Sequence, residues 1–161
     1  MSTLSAFKRS AGRWGLRNHV LIFPLHSALV STARDIADEV TGAVALGHDW
    51  SGEEDHDLAR IIRTLAGSAA NPNNHSVVFL TLETPLEKEI VRLARSLSAQ
   101  EMVEVSLPEQ GSISDLKGAV ESVTQKLVEQ ARVEPRITAP WSAIALGLEC
   151  GGSDALRGIP A

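Results

Sequence analysis

Positions 147–154, which read Gly-Leu-Glu-Cys-Gly-Gly-Ser-Asp, hold the densest group of chemically capable residues in the chain. The adjacent Gly151 and Gly152 let the backbone approach a ligand closely, and consecutive amides can cradle a carboxylate or phosphate. The segment lacks both the Gly-Lys-Ser/Thr of a phosphate-binding loop and the glycine spacing of a dinucleotide site. A plain glycine turn after a strand is an equally good interpretation. The further groups that could bind a metal or a polar ligand are Cys150, Ser153 and Asp154.

Three more residues that could do acid–base or metal chemistry directly follow apolar runs. A neutral imidazole at His48 could ligate a metal or act as a base near neutral pH, or it could hydrogen-bond a loop carbonyl. Glu83 could supply an oxygen ligand or a general base, or it could favour the positive end of the next helix. His26 is open to the same two interpretations, as a ligand or as a residue at a helix entry.

A basic, glycine-punctuated segment precedes the first apolar run and ends in Arg17-Asn18. A guanidinium at Arg17 could pair with a substrate carboxylate through two parallel hydrogen bonds. It could equally bind one of the chain's own carboxyl groups. We therefore regard Arg17 and Asn18 as candidate substrate-binding residues.

Short apolar runs that alternate with segments of helical period must position these groups. The runs predict five strands, at residues 19–25, 43–46, 76–82, 102–107 and 143–148. Apolar stripes at three- and four-residue spacing predict four helices between them. Those helices cover residues 27–40, a segment from the capping box at 51–54 to about 65, residues 84–97 and residues 114–133.

This β-α alternation with right-handed crossovers predicts one three-layer α/β domain over residues 19–161. Its sheet is mostly parallel and five-stranded, with helices on both faces, of Rossmann-like or flavodoxin-like type. Apolar and polar residues alternate at positions 102–107, which is typical of an edge strand. Residues 1–18 form a lead segment whose polar first dozen residues we expect to be loosely held. Ligands of such sheets bind outside the carboxyl ends of the strands, so His48, Glu83 and Asp154 are expected at one rim.

Composition excludes several classes of function. The 161 residues have a net charge of −5, 4% aromatic residues and no Tyr, and the scattered arginines form no nucleic-acid surface. Cys150 is the single cysteine, which excludes an internal disulfide and favours a reducing compartment. The apolar run at residues 20–30 is interrupted by Pro24 and His26 and is too short to span a bilayer. We expect a cytoplasmic protein with no membrane or nucleic-acid partner.

Four segments in a fixed order carry a resemblance to a known family. They are Gly12-Arg13-x-Gly15-x-Arg17-Asn18-His19-Val20, Gly42-Ala43-Val44-Ala45-Leu46-x-His48, Leu65-Ala66-Gly67 ahead of Asn71-Pro72-Asn73, and Gly147-Leu148-x-Cys150-Gly151-Gly152-Ser153-Asp154-Ala155. Together they resemble the altronate dehydratase and galactarate dehydratase family, which includes sulfolactate sulfo-lyase. The resemblance implies a lyase region that removes water, or sulfite in one branch, from a hydroxy acid. It also implies a divalent metal, Fe²⁺ or Mn²⁺.

The chain departs from the family pattern where the family has cysteines. His26-Ser27 replaces an Asn-Cys, residues 49–52 replace a Gly-Cys-Gly, and residues 81–83 keep the acid of a Gly-Cys-Glu without its thiol. The family also continues far beyond its last motif, whereas this chain stops at Ala161. Thiolates are the ligands that soft metals prefer, so the loss of these cysteines argues against a site for such a metal.

Two hypotheses follow. The first is a catalytic portion of a hydro-lyase for sugar acids such as altronate or galactarate, completed by another chain, a second copy or further sequence. The residues that would bind the carboxylate of the substrate are Arg17, Asn18, Gly151, Gly152 and Ser153. The catalytic residues would be His48, Glu83 and Asp154, and the metal ligands would be His48, Glu83 and Cys150. The second is a non-catalytic domain that binds a small acid or a partner subunit, which the missing cysteines favour.

Overall fold

The structure, a computed structural model, describes residues 3–51 and 57–147. Its strands and helices come in the following order: β1 (Thr3–Lys8), β2 (Trp14–Gly15), β3 (His19–Pro24), α1 (Val30–Glu39), β4 (Ala43–Ala45), α2 (Leu58–Ala69), β5 (Asn74–Thr81), α3 (Pro85–Leu97), β6 (Glu101–Ser106), α4 (Leu107–Gln110), α5 (Ile113–Val133) and β7 (Ile137–Pro140). None of the helices in these ranges is long and apolar enough to cross a membrane.

Four strands form a parallel sheet in the order β4-β3-β5-β6. In register, Leu21 of β3 lies beside Val77 of β5, which lies beside Met102 of β6. The two central strands are apolar almost throughout because both of their faces are covered. β6 lies at an edge, as its alternating pattern predicts, since one of its faces is partly open to water.

Helices cover both faces of this sheet and create two apolar cores. Successive side chains of β3 point to opposite faces, so Val20 and Ile22 pack with α1 and α5. Leu21 and Phe23 pack with α2 and α3 on the other side. The three-layer α/β prediction is therefore confirmed.

The predicted strands at residues 19–25, 43–46, 76–82 and 102–107 are confirmed as β3 to β6, and the four predicted helices are present. The capping box at 51–54 lies largely outside the described residues, and α2 begins at Leu58. The fifth strand is wrong for the part that is described, because residues 144–147 form no strand and follow a 3₁₀ turn at Trp141–Ala143. This run is rich in Ala and Gly, which have low strand propensity. The Rossmann-like or flavodoxin-like type stays a prediction.

A second, antiparallel sheet has the order β2-β1-β7. Ala6 of β1 lies beside Ile137 of β7, although 131 residues separate the two positions along the chain. The expectation that the first dozen residues are loosely held is thus wrong for β1, and Met1 and Ser2 lie outside the described residues. The physical reason is burial, since Ala6 and Phe7 are both buried and the Arg136 guanidinium lies 4.5 Å from the centre of the Phe7 ring.

Arg9 joins this small sheet to the amino end of the parallel sheet. Its side chain is only 7% exposed, and its Nη1 donates to both carboxylate oxygens of Glu134 at 3.0 and 2.8 Å. Nε donates to the carbonyl oxygen of Pro72 at 2.9 Å, and Nη2 donates to the Arg17 carbonyl and to Asn18 Oδ1. One guanidinium therefore links β1, the end of α5 and the segments that precede β3 and β5.

Replacement of Arg9 tests this role. We expect Arg9→Met to lower the free energy of unfolding by about 2–4 kcal/mol, because it leaves the Glu134 charge and two other partly buried acceptors, the Pro72 carbonyl and Asn18 Oδ1, without this donor. Urea unfolding followed by circular dichroism measures the loss. Arg60→Met, which removes a highly exposed ion pair with Asp57, serves as the control and should cost little. Equal effects of the two variants would contradict the role of Arg9.

The His75 side chain makes the stability depend on pH. Burial lowers its pKa most, the Arg9 charge lowers it further, and Glu134 and Glu101 oppose both effects. The folded state therefore binds this proton more weakly than the unfolded state, and stability falls as pH drops below about 6.5 toward the lower folded pKa. We expect His75→Gln to lose less stability than the native chain between pH 7 and 5 in urea titrations. An equal loss of stability in His75→Gln and in the native chain between pH 7 and 5 would contradict this. The pKa of His19 is also lowered by burial, so the variant keeps part of the pH dependence of stability.

Candidate functional site

His48 lies beyond β4, at the carboxyl ends of the parallel strands. Its Nε2 is 2.8 Å from the carbonyl oxygen of Pro24, so Nε2 donates and Nδ1 is left as an acceptor in the neutral ring. The ring stands edge-on to Phe23, with 6.1 Å between the ring centres. Nδ1 is enclosed and finds no hydrogen-bond partner within residues 3–51 and 57–147. These contacts match the alternative in which the imidazole binds a loop carbonyl.

Glu83 lies beyond β5 with a φ of +62°, a left-handed conformation that costs a non-glycine residue about 1–2 kcal/mol. The capping box predicted at the start of α3 is present next to it. Thr84 Oγ1 accepts from the Glu87 amide, while Glu87 Oε2 accepts from the amides of Leu82 and Thr84 at 2.9 Å. Three backbone amides beside Glu83, those of Leu82, Thr84 and Glu87, are therefore bound within the chain.

Backbone amides of the turn after β3 are also hydrogen-bonded within the chain. The Ser27 amide donates to the Trp50 carbonyl at 2.9 Å, and the Ala28 amide donates to His26 Nδ1 at 3.1 Å. His26 thus takes the helix-entry role that the sequence left open. An anion that bound to the amides of Ser27 or Ala28 would have to displace these internal hydrogen bonds.

The described ranges contain no group of three or more metal-ligating side chains. His48 and Glu83 therefore do not by themselves form a site for Fe²⁺ or Mn²⁺, which need more ligands. The remaining predicted ligands and binding residues, Cys150, Gly151, Gly152, Ser153 and Asp154, lie outside the described residues.

Arg17 and Asn18 lie at the opposite end of the parallel sheet, because they precede β3 and the other candidates follow the strands. The six residues of β3 span about 20 Å, which exceeds the reach of an arginine side chain. The structure does not bring Arg17 and Asn18 to the rim of His48 and Glu83. Asn18 is also engaged internally, since Oδ1 accepts from Arg9 and Nδ2 donates to the Ala131 carbonyl at 2.7 Å.

A cleft of about 430 Å³ opens at this amino end, between residues 12–16, 71–73 and 143–145. We call it the amino-end cleft. Arg17 directly follows its first segment, and its exposed guanidinium has no hydrogen bond or ion pair with any described residue. Arg13 in contrast donates to the carbonyls of Ala70 and Leu97, and Arg136 donates to those of Ser5 and Leu16. Arg17 is thus available to a ligand where these neighbours are not.

Asn73 lines this cleft, although the sequence analysis named it only within a segment that carries the family resemblance. Its Oδ1 accepts from the Leu16 amide at 2.8 Å and from the Arg17 amide at 3.0 Å. The one available signal was its place among the segments that carry the family resemblance. No local pattern reveals the contact, because 56 positions separate Asn73 from Arg17.

The chain belongs to the D-galactarate dehydratase/altronate hydrolase family, since residues 6–132 match the model of that family's second domain. Two curated relatives extend the likeness. The chain is 27% identical over 160 residues to the (2R)-sulfolactate sulfo-lyase subunit beta of Chromohalobacter salexigens, covering 99% of this chain and 41% of that protein. It is 27% identical over 172 residues to the altronate dehydratase of Bacillus subtilis, covering 99% of this chain and 34% of that protein. It therefore spans between a third and two fifths of their lengths.

Substitution of His48 tests the positioning role that its hydrogen bond to the Pro24 carbonyl indicates. We expect His48→Phe to lower the free energy of unfolding by about 1–2 kcal/mol, because the buried Pro24 carbonyl loses its donor. His48→Gln, which keeps a donor at the same reach, should lose clearly less in the same urea titration. Unchanged stability in both variants would contradict the positioning role.

Proposed function

We propose that this chain is a portion of a hydro-lyase that dehydrates sugar acids such as altronate or galactarate. Another chain or further sequence completes its catalytic site. The observation that carries the proposal is the meeting of two family segments, residues 12–18 and 71–73, at the amino-end cleft, next to which the Arg17 guanidinium has no hydrogen bond or ion pair with any described residue. The family membership over residues 6–132 supports it.

The substrate class follows from charge. Every sugar acid has a carboxylate, and a guanidinium binds carboxylate through two parallel, charge-assisted hydrogen bonds. Residues 3–19 include four cations and no Asp or Glu, although the whole chain has a net charge of −5. Arg17 is the described cation of that segment that lies next to the cleft with a free guanidinium.

Dehydration of a hydroxy acid requires three groups. A base removes the proton α to the carboxylate, a positive charge stabilises the enediolate that forms, and an acid protonates the departing hydroxyl. Arg17 would stabilise the charge that develops on the bound carboxylate. His48 and Glu83 lie about one strand length from Arg17 and do not reach an acid bound there, so the base and the acid would come from the residues that complete the site, such as Asp154.

A divalent metal, Fe²⁺ or Mn²⁺, is part of the proposal and would supply further positive charge to the enediolate. No step above depends on it, since the ligand groups of the described residues do not cluster. Completion by another polypeptide agrees with the sulfo-lyase relative being named a subunit beta. We also propose that the protein acts in the cytoplasm.

The second candidate is a domain that binds a small acid or a partner subunit without catalysis. The absence of an acid–base cluster at the amino-end cleft, within the described residues, favours it. A decisive assay incubates the purified chain, alone and co-expressed with the products of neighbouring genes, with C5 and C6 aldonic and aldaric acids. Metal content and formation of 2-keto-3-deoxy product support the hydro-lyase. Acid binding without metal or turnover in every combination supports the second candidate.

Arg17→Gln tests the binding step that both candidates share. We expect acid binding, measured by titration calorimetry with altronate, to weaken about 10- to 100-fold, because one charge-assisted pair is lost. Arg34→Gln is the matched control, since Arg34 is an exposed cation that lies against Gly47 at the other end of the sheet. If Arg34→Gln weakened acid binding and Arg17→Gln did not, the acid site would lie at the carboxyl ends of the strands and the proposed role of Arg17 would be wrong.

A further inference from the structure

We propose that Asn73 is a positioning residue that holds the backbone of Leu16 and Arg17, so that the Arg17 guanidinium is presented to an acid at the amino-end cleft. The inference rests on the proposed function, in which Arg17 binds the carboxylate. It adds a residue that acts through the backbone of Arg17.

The contacts of Asn73 with the lead segment are successive and short. Its side-chain Oδ1 accepts from the amides of Leu16 and Arg17 at 2.8 and 3.0 Å. Its backbone oxygen accepts from the His19 amide at 3.0 Å. One residue thereby holds three amides within a stretch of four residues, just before β3 begins. The direction in which Arg17 leaves the backbone is set by these bonds.

Asn73 can act in this way because its own turn is held on all sides. The Asn73 amide donates to Asn71 Oδ1 at 2.9 Å, which closes the turn locally. Arg13 donates to the carbonyl of Ala70, Gln100 to that of Asn71, and Arg9 to that of Pro72. Each carbonyl from Ala70 to Asn73 thus has a donor from elsewhere in the chain. Two of these donors, Arg9 and Arg13, belong to the lead segment, so the turn and the lead segment are bound to each other at several points.

Close packing places the lead segment on this turn. A Cβ at Gly15 would overlap with the carbonyl oxygen of Pro72, so the backbone at Gly15 lies directly against it. Only glycine permits this approach. Leu16 and Arg17 follow immediately, and Asn73 Oδ1 is the side-chain acceptor that meets their amides.

The chemistry of an amide side chain suits this position. The Asn73 oxygen has two lone pairs and accepts from both amides without adding a charge. A carboxylate would accept equally well, but its negative charge would lie near Arg17 and repel an acidic ligand. A neutral acceptor therefore positions the guanidinium and leaves its charge available.

The test compares Asn73→Leu with the native chain in two measurements. Hydrogen exchange of the Leu16 and Arg17 amides, followed by NMR, is expected to become at least about tenfold faster because their acceptor is lost. The dissociation constant for altronate, measured by calorimetry, is expected to rise about tenfold. Asn73→Asp is expected to keep slow exchange while it binds altronate more weakly than the native chain.

Two controls separate positioning from general loss of stability. Ile90→Val removes a methyl group from a fully buried site and should leave altronate affinity unchanged. The double variant Arg17→Gln/Asn73→Leu should bind no more weakly than Arg17→Gln alone, because an absent guanidinium cannot be misplaced. Additive losses in the double variant would mean that Asn73 acts independently of Arg17 and would overturn the inference.

The outcomes also separate this inference from the proposed function. If Arg17→Gln weakens altronate binding and Asn73→Leu does not, the inference fails and the proposed role of Arg17 stands. If the native chain does not bind altronate, or Arg17→Gln binds it as tightly, the proposed acid site fails and the inference fails with it. Unchanged amide exchange in Asn73→Leu would overturn the inference whatever the affinities are.

Discussion

The arrangement of the amino end depends on one buried guanidinium. Arg9 can serve Glu134, the Pro72 carbonyl and the Arg17 carbonyl at once because arginine has five N–H donors in a fixed plane. A buried cation is costly unless it is paired and hydrogen-bonded, so its partners must all be present for the fold to be favourable. This requirement couples the small antiparallel sheet to the parallel sheet. The Phe7 ring, 5.4 Å from the same guanidinium, encloses it further.

The two ends of the parallel sheet differ in what they offer a ligand. At the carboxyl ends, the amides of Ser27, Ala28, Leu82 and Thr84 and the side chains of His48 and Glu87 make internal hydrogen bonds. At the amino ends, Arg9 and Arg13 bind the turn at residues 70–73, whereas the Arg17 guanidinium has no hydrogen bond or ion pair with any described residue. Binding groups that are free and held by a rigid support are the ones that can recognise a ligand with little entropic cost. The amino-end cleft meets that description among the parts of the chain that the structure describes.

Much of the fold could be predicted because it depends on local patterns. The doubly buried runs of β3 and β5 and the capping box at Thr84 identify their elements without tertiary information. β1 and β7 could not be found in this way, since each is stable only when paired with the other across 131 residues. The apolar run at residues 143–148 predicted a strand, but its described part, residues 143–147, forms none and Leu146 is 81% exposed.

The candidate site, like the fold, could be predicted from the sequence only in part. The sequence by itself determined the residue types, the family segments and the α/β layers, because periodicity and side-chain chemistry are properties of neighbours along the chain. Only the tertiary structure decided that Arg17 lies a strand length from His48 and Glu83, and that Asn73 holds its backbone. The physical reason is that hydrogen bonds between distant segments form only after the sheets have packed. No spacing in the sequence specifies which of several arginines will then be left without a partner.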